Sequence, residues 1–153
     1  MNKINELYQT HVNYELRTLH KPANELLNKS LIDLKVMAFL SEIGKISEES
    51  RCFSFWDTST LDDQLLLSNY IDGLQILLSI GFELRVDAIK QYPELHQETK
   101  LVDQFFKLYH ATLKLQKSYQ FEDYQNVIDD FFHLGFLLDY DINQIIEAYK
   151  QHI

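Results

Sequence analysis

Along most of this chain apolar residues recur every three or four positions, the spacing that gives an α-helix one buried face. Residues 3–20 place Ile4, Leu7, Tyr8, Val12 and Leu16 on one stripe, which predicts an amphipathic first helix. Pro22 suits a helix first turn, and Ser30 stands where it can cap a long segment over 31–50. Residues 51–60 break the periodicity and carry the only tryptophan, Trp56. Thr60 is the N-cap candidate for the next helix, with Asp62 and Asp63 at the positive end of its dipole and Gly81 placed as a C-cap. Tyr92 and Pro93 interrupt the chain before two further helices, over 99–118 and 122–138. Asp141 with Gln144 has the form of a capping box for a last helix. No linker, internal repeat or low-complexity segment shows. The pattern predicts one all-α domain over 1–153, folded as a helical bundle.

The segment 65–80 breaks the amphipathic rule. Its leucines and isoleucines cover nearly every direction of a helical wheel, as in a helix buried on all sides. Ser68, Asn69, Asp72, Gln75 and Ser79 nevertheless fall on one narrow stripe. A buried carboxylate needs a cation, a donor or a proton, since its desolvation otherwise costs several kcal/mol, on the order of 3–5. Asp72 is therefore the most informative residue on this helix. The segment 36–49 supplies a counterpart. Val36, Phe39, Leu40, Ile43 and Ile46 form its apolar face, and Glu42, Lys45 and Glu49 lie directly beside that face.

Composition narrows the classes. Hydrophobic residues at 46% and aromatics at 13% fill a core and exclude a disordered chain. Four Gly and two Pro are too few for the turns of a sandwich or barrel. Fourteen basic against 23 acidic residues give a net charge of −9, which makes nucleic acid and anionic membrane surfaces poor partners. One cysteine, Cys52, excludes an internal disulfide framework and fits a reducing compartment. The first residues are charged where a signal peptide needs an apolar run, and no uninterrupted apolar stretch approaches the roughly 18 residues of a membrane helix. These features predict a cytoplasmic protein. The six histidines show no zinc spacing, and no glycine-rich phosphate loop occurs.

Two stretches, LSEIGKISEESRCFSFW (40–56) and NYIDGLQILLSIGFEL (69–84), resemble the dimeric all-α dUTPases, relatives of the MazG-like nucleoside triphosphate pyrophosphohydrolases. The terminal FFHLGFLLDYDINQIIEAYK also fits that pattern. Gly44, Arg51, Phe53, Trp56, Asp72, Gly73 and Gly81 all fall in register. The resemblance implies a homodimer and Mg²⁺-dependent hydrolysis of dUTP to dUMP and pyrophosphate. In the family an E-x-x-E helix and an E-x-x-D helix supply four acids for the metal. Here Glu42 and Asp72 match two of them, whereas the other two positions hold Lys45 and Asn69. Glu49 matches the acid that closes the E-x-x-E run, the position expected to act in catalysis. Gln9 and Asn13 match polar residues that contact uracil, and Trp56 matches the aromatic that closes over the base. A deoxyuridine nucleotide is the expected ligand.

The two replacements change the chemistry. Mg²⁺ takes hard oxygen ligands, and an ammonium donates hydrogen bonds only. A lysine about 4 Å from a divalent ion adds repulsion of several kcal/mol, about 4–8 at an intermediate dielectric. Three readings of these residues stand side by side. Lys45 occupies the cation position, pairing with Glu42 and Asp72 in a protein that has lost most or all hydrolysis. Alternatively, Glu42, Glu49 and Asp72 form a rearranged metal site in an active pyrophosphohydrolase. The third reading is a helical interaction module that binds no nucleotide.

Overall fold

In the computed structural model the described residues are 2–19, 27–57, 59–90 and 99–152. They form six helices and no strand: α1 (Lys3–Leu19), α2 (Lys29–Glu49), α3 (Asp63–Glu83), α4 (Leu101–Ser118), α5 (Phe121–Leu137) and α6 (Ile142–His152). The all-α architecture is thus the one the periodicity predicts. The expected roles of Pro22, Tyr92 and Pro93 fall outside the described residues.

The helix ends differ from the sequence reading in instructive ways. Asn28, not Ser30, caps α2, its side chain accepting from the Leu31 amide at 3.0 Å. Asp62, not Thr60, caps α3, accepting from the Leu65 amide at 3.0 Å. Asp141 does cap α6, accepting from the Gln144 amide at 2.8 Å. Gly81 does not end α3. It lies inside the helix, and the left-handed position falls on Arg85 at φ 62°. The amide of Val86 donates to the Gly81 carbonyl and that of Arg85 to the Phe82 carbonyl, closing the end as a Schellman motif. Asp139, at φ 69°, closes α5 in the same way, with the Tyr140 amide on the Gly135 carbonyl.

The core follows a seven-residue seam. On α2 Ile32, Val36, Phe39, Ile43 and Ile46 are buried at alternating spacings of four and three, the pattern of helices packed nearly side by side. On α4 Phe105, Leu108, Thr112 and Leu115 repeat it. α2 packs along α3 and α4 along α5, giving two antiparallel hairpins joined through α2 against α4 and α3 against α5.

The two hairpins share a motif that the sequence reading missed when it found no repeat. The Tyr70 hydroxyl donates to the Phe131 carbonyl at 2.9 Å, and the Tyr124 hydroxyl to the Leu77 carbonyl at 2.8 Å. Each tyrosine lies on a glycine of the opposite helix. A methyl group on Gly135 would collide with the Tyr70 hydroxyl, and one on Gly81 with Tyr124 and Tyr8. Tyrosine, glycine and left-handed residue recur in the same order and spacing, as Tyr70, Gly81 and Arg85, then Tyr124, Gly135 and Asp139. The residues between these anchors differ, so the repeat lies in the anchors alone.

α1 and α6 flank α3. Tyr8 donates to the Val86 carbonyl at 2.6 Å, and Asn5 accepts from the Ile89 amide at 2.9 Å, so the start of α1 is tied to the chain leaving α3. By length and composition alone α3 is apolar enough to cross a membrane, yet over half of its most apolar window is buried within the bundle. It is the core helix.

Candidate functional site

The antiparallel pairing of α2 with α3, fixed where Ile46 packs on Gly73 and Lys35 reaches Ser79 and Glu83, sets one polar stripe on each helix along the groove between them. Glu42 is largely buried, and Lys45, one turn later and exposed, donates to its Oε1 at 3.1 Å. The other oxygen, Oε2, is buried with no hydrogen-bond partner. Glu49 and Asn69 are half-buried at the same end of the groove. Asp72 is not the buried acid that its helix suggested. Its side chain is 40% exposed, and Oδ1 lies 3.1 Å from His152 Nε2 of α6. Lys45 therefore pairs with one of the two acids expected for it. The stripe rolls past the core edge at Asp72 and enters the core only at Ser79.

The residues expected to hold a base do not converge. Gln9 donates to the Asp87 carbonyl at 2.7 Å, so its amide is committed to the joint between α1 and the chain after α3. Asn13 is exposed beside Thr10, Leu16 and Arg17 on the rim of a shallow hollow. Trp56 lies in the loop before α3, at the opposite end of a helix that spans about 30 Å. Trp56 is 66% exposed and meets Phe55 edge-on, ring centres 4.9 Å apart, with Phe53 beside it. This loop is fastened locally. Arg51, left-handed at φ 61°, reaches Asp57 at 3.0 Å, and the Ser59 hydrogen bonds hold the Asp57 carboxyl below its usual range.

The helical fold, the α2–α3 groove and the aromatic loop together invite a family assignment, and the family model described as dUTPase matches residues 3–152, nearly the whole chain. The chain belongs to this dUTPase family. No curated protein and no solved structure matches it.

As a place for a metal ion, the groove offers few free oxygens. Among the described residues no three His, Cys, Asp or Glu side chains lie together so as to hold a metal. Glu42 already has an ammonium on one oxygen, Asp72 has an imidazole, and Asn69 offers at best a neutral carbonyl. As they stand these side chains do not fit Mg²⁺, which needs several free oxygens in octahedral array.

The sequence reading also missed a polar chain through the bundle. Tyr149 of α6 hydrogen-bonds His11 of α1 at 2.6 Å, and His11 Nε2 lies 3.3 Å from Glu15 Oε1. The Ser79 hydroxyl donates to the same oxygen at 3.0 Å, and Lys35 donates to Ser79 at 2.6 Å and to Glu83 at 3.0 Å. Burial opposes the charge on Glu15, but the His11 ring, the Lys35 ammonium and the Ser79 hydroxyl outweigh it and hold the carboxyl below its usual range. Spacing held the signal. Ile4, Tyr8, His11 and Glu15 follow the four-three-four seam of the buried face, whereas Leu16, assigned to the stripe, is 55% exposed.

Proposed function

We propose that this protein is a dUTPase-family nucleotide-binding protein in which the family reaction, Mg²⁺-dependent hydrolysis of dUTP to dUMP and pyrophosphate, is weak or lost. One observation carries the reading: Lys45 Nζ sits 3.1 Å from Glu42, with an ammonium where the family places its second acid. A cation fixed to one of the remaining acids both repels the metal and takes a donor from it. The loop aromatics led by Trp56 offer a face for a pyrimidine ring. Leu34 and Met37 on α2, with Phe106 and Leu113 on α4, are exposed large apolar side chains, and their exposure supports assembly as a homodimer. The free Cys52 is consistent with a cytoplasmic protein.

A second reading, an active pyrophosphohydrolase with a metal on Glu42, Glu49 and Asp72, is favoured by the orphaned Glu42 Oε2, since a cation satisfies a buried unpaired acceptor. Pyrophosphate release from dUTP, with dCTP and dTTP as controls and with Mg²⁺, Mn²⁺ or EDTA, separates the two. The proposal expects no metal-dependent release from the folded dimer, together with thermal stabilisation by dUMP or dUTP in EDTA. Release that needs metal and vanishes in Glu42→Ala and Asp72→Ala establishes the second reading. Failure of both nucleotides to raise the melting midpoint leaves a helical module without a nucleotide site.

A further inference from the structure

α2 and α4 each carry a second seam, turned away from the core. At about 100° per residue, Leu34, Met37, Ser41, Gly44 and Glu48 fall on one stripe of α2. Asp103, Phe106, His110, Leu113 and Lys117 fall on one stripe of α4. The four large apolar members, Leu34, Met37, Phe106 and Leu113, are all exposed. The two helices run antiparallel, and hydrogen bonds between them set the register. Tyr109 donates to the Leu40 carbonyl at 3.5 Å, and Gln116 and Tyr119 donate to Asp33 Oδ1 at 3.3 and 2.6 Å. The stripes therefore lie side by side as one face, Met37 about level with Leu113, Ser41 with His110, and Gly44 with Phe106. Lys117 stands exposed at one end of this face, and Glu48 and Asp103 stand exposed at the other.

We propose that this face binds a second copy of the chain about a twofold axis passing by Ser41 and His110, each helix lying antiparallel on its own counterpart. The inference rests on the homodimer reading and adds to it a surface and a symmetry. A twofold contact needs a patch that complements itself. These stripes do, because positions seven or fourteen apart exchange about one centre. Turning the copy end for end places Leu113 of one chain on Phe106 of the other, and Lys117 on Asp103. On α2 it sets Met37 over the bare backbone of Gly44, and Leu34 along the aliphatic stem of Glu48. The other twofold, with its axis along the helices, lays α2 on α4 of the copy and brings Glu48 against Asp103. Like charges oppose that arrangement. In the favoured one every contact occurs twice, so each substitution counts double.

Sedimentation equilibrium of the full chain tests the face, with far-UV circular dichroism to confirm that each variant keeps its helices. Leu113→Asp should raise the dimer dissociation constant about 100-fold. Lys117→Asp and Asp103→Lys should each raise it about tenfold, and their combination should return it to within about threefold of wild type. In a Cys52→Ser background, Ser41→Cys should give a disulfide-linked dimer under mild oxidation, since the axis brings the two Cα atoms within the reach of about 7 Å that the bond needs. The other twofold sets Ser41 opposite His110 of the copy and holds the two serines about a helix spacing of 10 Å or more apart, too far to link. A dimer left intact by Leu113→Asp and Lys117→Asp overturns this face while the homodimer reading stands. A monomer at every concentration overturns that reading, and the face with it. A dimer broken by Leu113→Asp, yet neither rescued by the charge swap nor cross-linked through residue 41, overturns the antiparallel symmetry.

Discussion

The hairpins α2–α3 and α4–α5 use one scaffold to opposite electrostatic ends. Both are locked by a tyrosine hydroxyl on a carbonyl of the other hairpin, and both pack that tyrosine on a bare glycine. On α2 the polar positions are Glu42, Lys45 and Glu49. On α4 the same spacing carries Lys107, His110 and Lys114. Across from them, Asn69 and Asp72 of α3 correspond to Asp123 and Asn126 of α5 in the repeat set by the tyrosines. In the second hairpin Lys107 lies 3.6 Å from Asp130 and Lys114 3.6 Å from Asp123, so bases on one wall face acids on the other. In the first, Glu42 is met by Lys45 of its own helix and Asp72 by His152 of α6, while Lys35 of α2 crosses to Glu83 of α3. The difference teaches that the packing anchors tolerate little exchange, whereas the groove between the helices accepts either sign of charge on either wall.

The sharpest way to break the comparison is to put a methyl group at an anchor. Gly81→Ala and Gly135→Ala each drive a Cβ into a tyrosine ring that is itself hydrogen-bonded and buried. Overpacking of this kind costs about 3 kcal/mol. Urea unfolding should show similar losses in both variants if the hairpins lean on each other equally. A loss confined to Gly81→Ala would mean that the two clasps are alike in geometry but not in energy.

The next effect lies on the α3 side only. Glu15 has a carboxyl held below its unfolded value, so its contribution to stability is present above roughly pH 4.5 and lost as pH falls through the folded value. Glu15→Gln should lower stability at pH 7 by about 2 kcal/mol, the scale of a buried hydrogen bond to a charged group. The same variant should flatten the acid limb of the stability curve. A Glu15→Gln variant with the wild-type acid limb would show that other carboxylates set it.

How much of this could be read from sequence depends on which forces act over short range. The helices were legible because their apolar positions keep period along a single segment, and Asp141 because its partner Gln144 is one turn away. Helix ends were misjudged at Gly81, since the left-handed residues are Arg51, Arg85, Tyr119 and Asp139, which carry no glycine signature. Glu42, Lys45, Asn69 and Asp72 were legible as members of two polar stripes. Their partners were not. Nothing local says that Asp72 meets His152, or that Glu15 meets Ser79 and, through it, Lys35, because those contacts are set by how α1, α2, α3 and α6 pack. The partner of Gln9 is of the same kind: its amide donates to the carbonyl of Asp87, a residue far along the chain.

The smallest effect should have the opposite sign and lies on the α5 side. Burial pushes the Asp130 carboxyl up, and Lys107 and His133 offset this only in part. Lys107 is 59% exposed and 3.6 Å away, so water screens most of its help. An acid with a folded pKa above its unfolded one adds stability below the unfolded value, near pH 4, and loses that addition as pH rises through the folded value. Asp130→Asn removes the penalty of charging a half-desolvated group while keeping its size. Stability at pH 7 should rise by about 0.5 kcal/mol, within the range of a weakly coupled site, and the difference from wild type should shrink toward pH 4. A loss at pH 7 would instead mean that the Lys107 pair outweighs burial, and that the second hairpin's facing charges stabilise it as those around Glu15 stabilise the first.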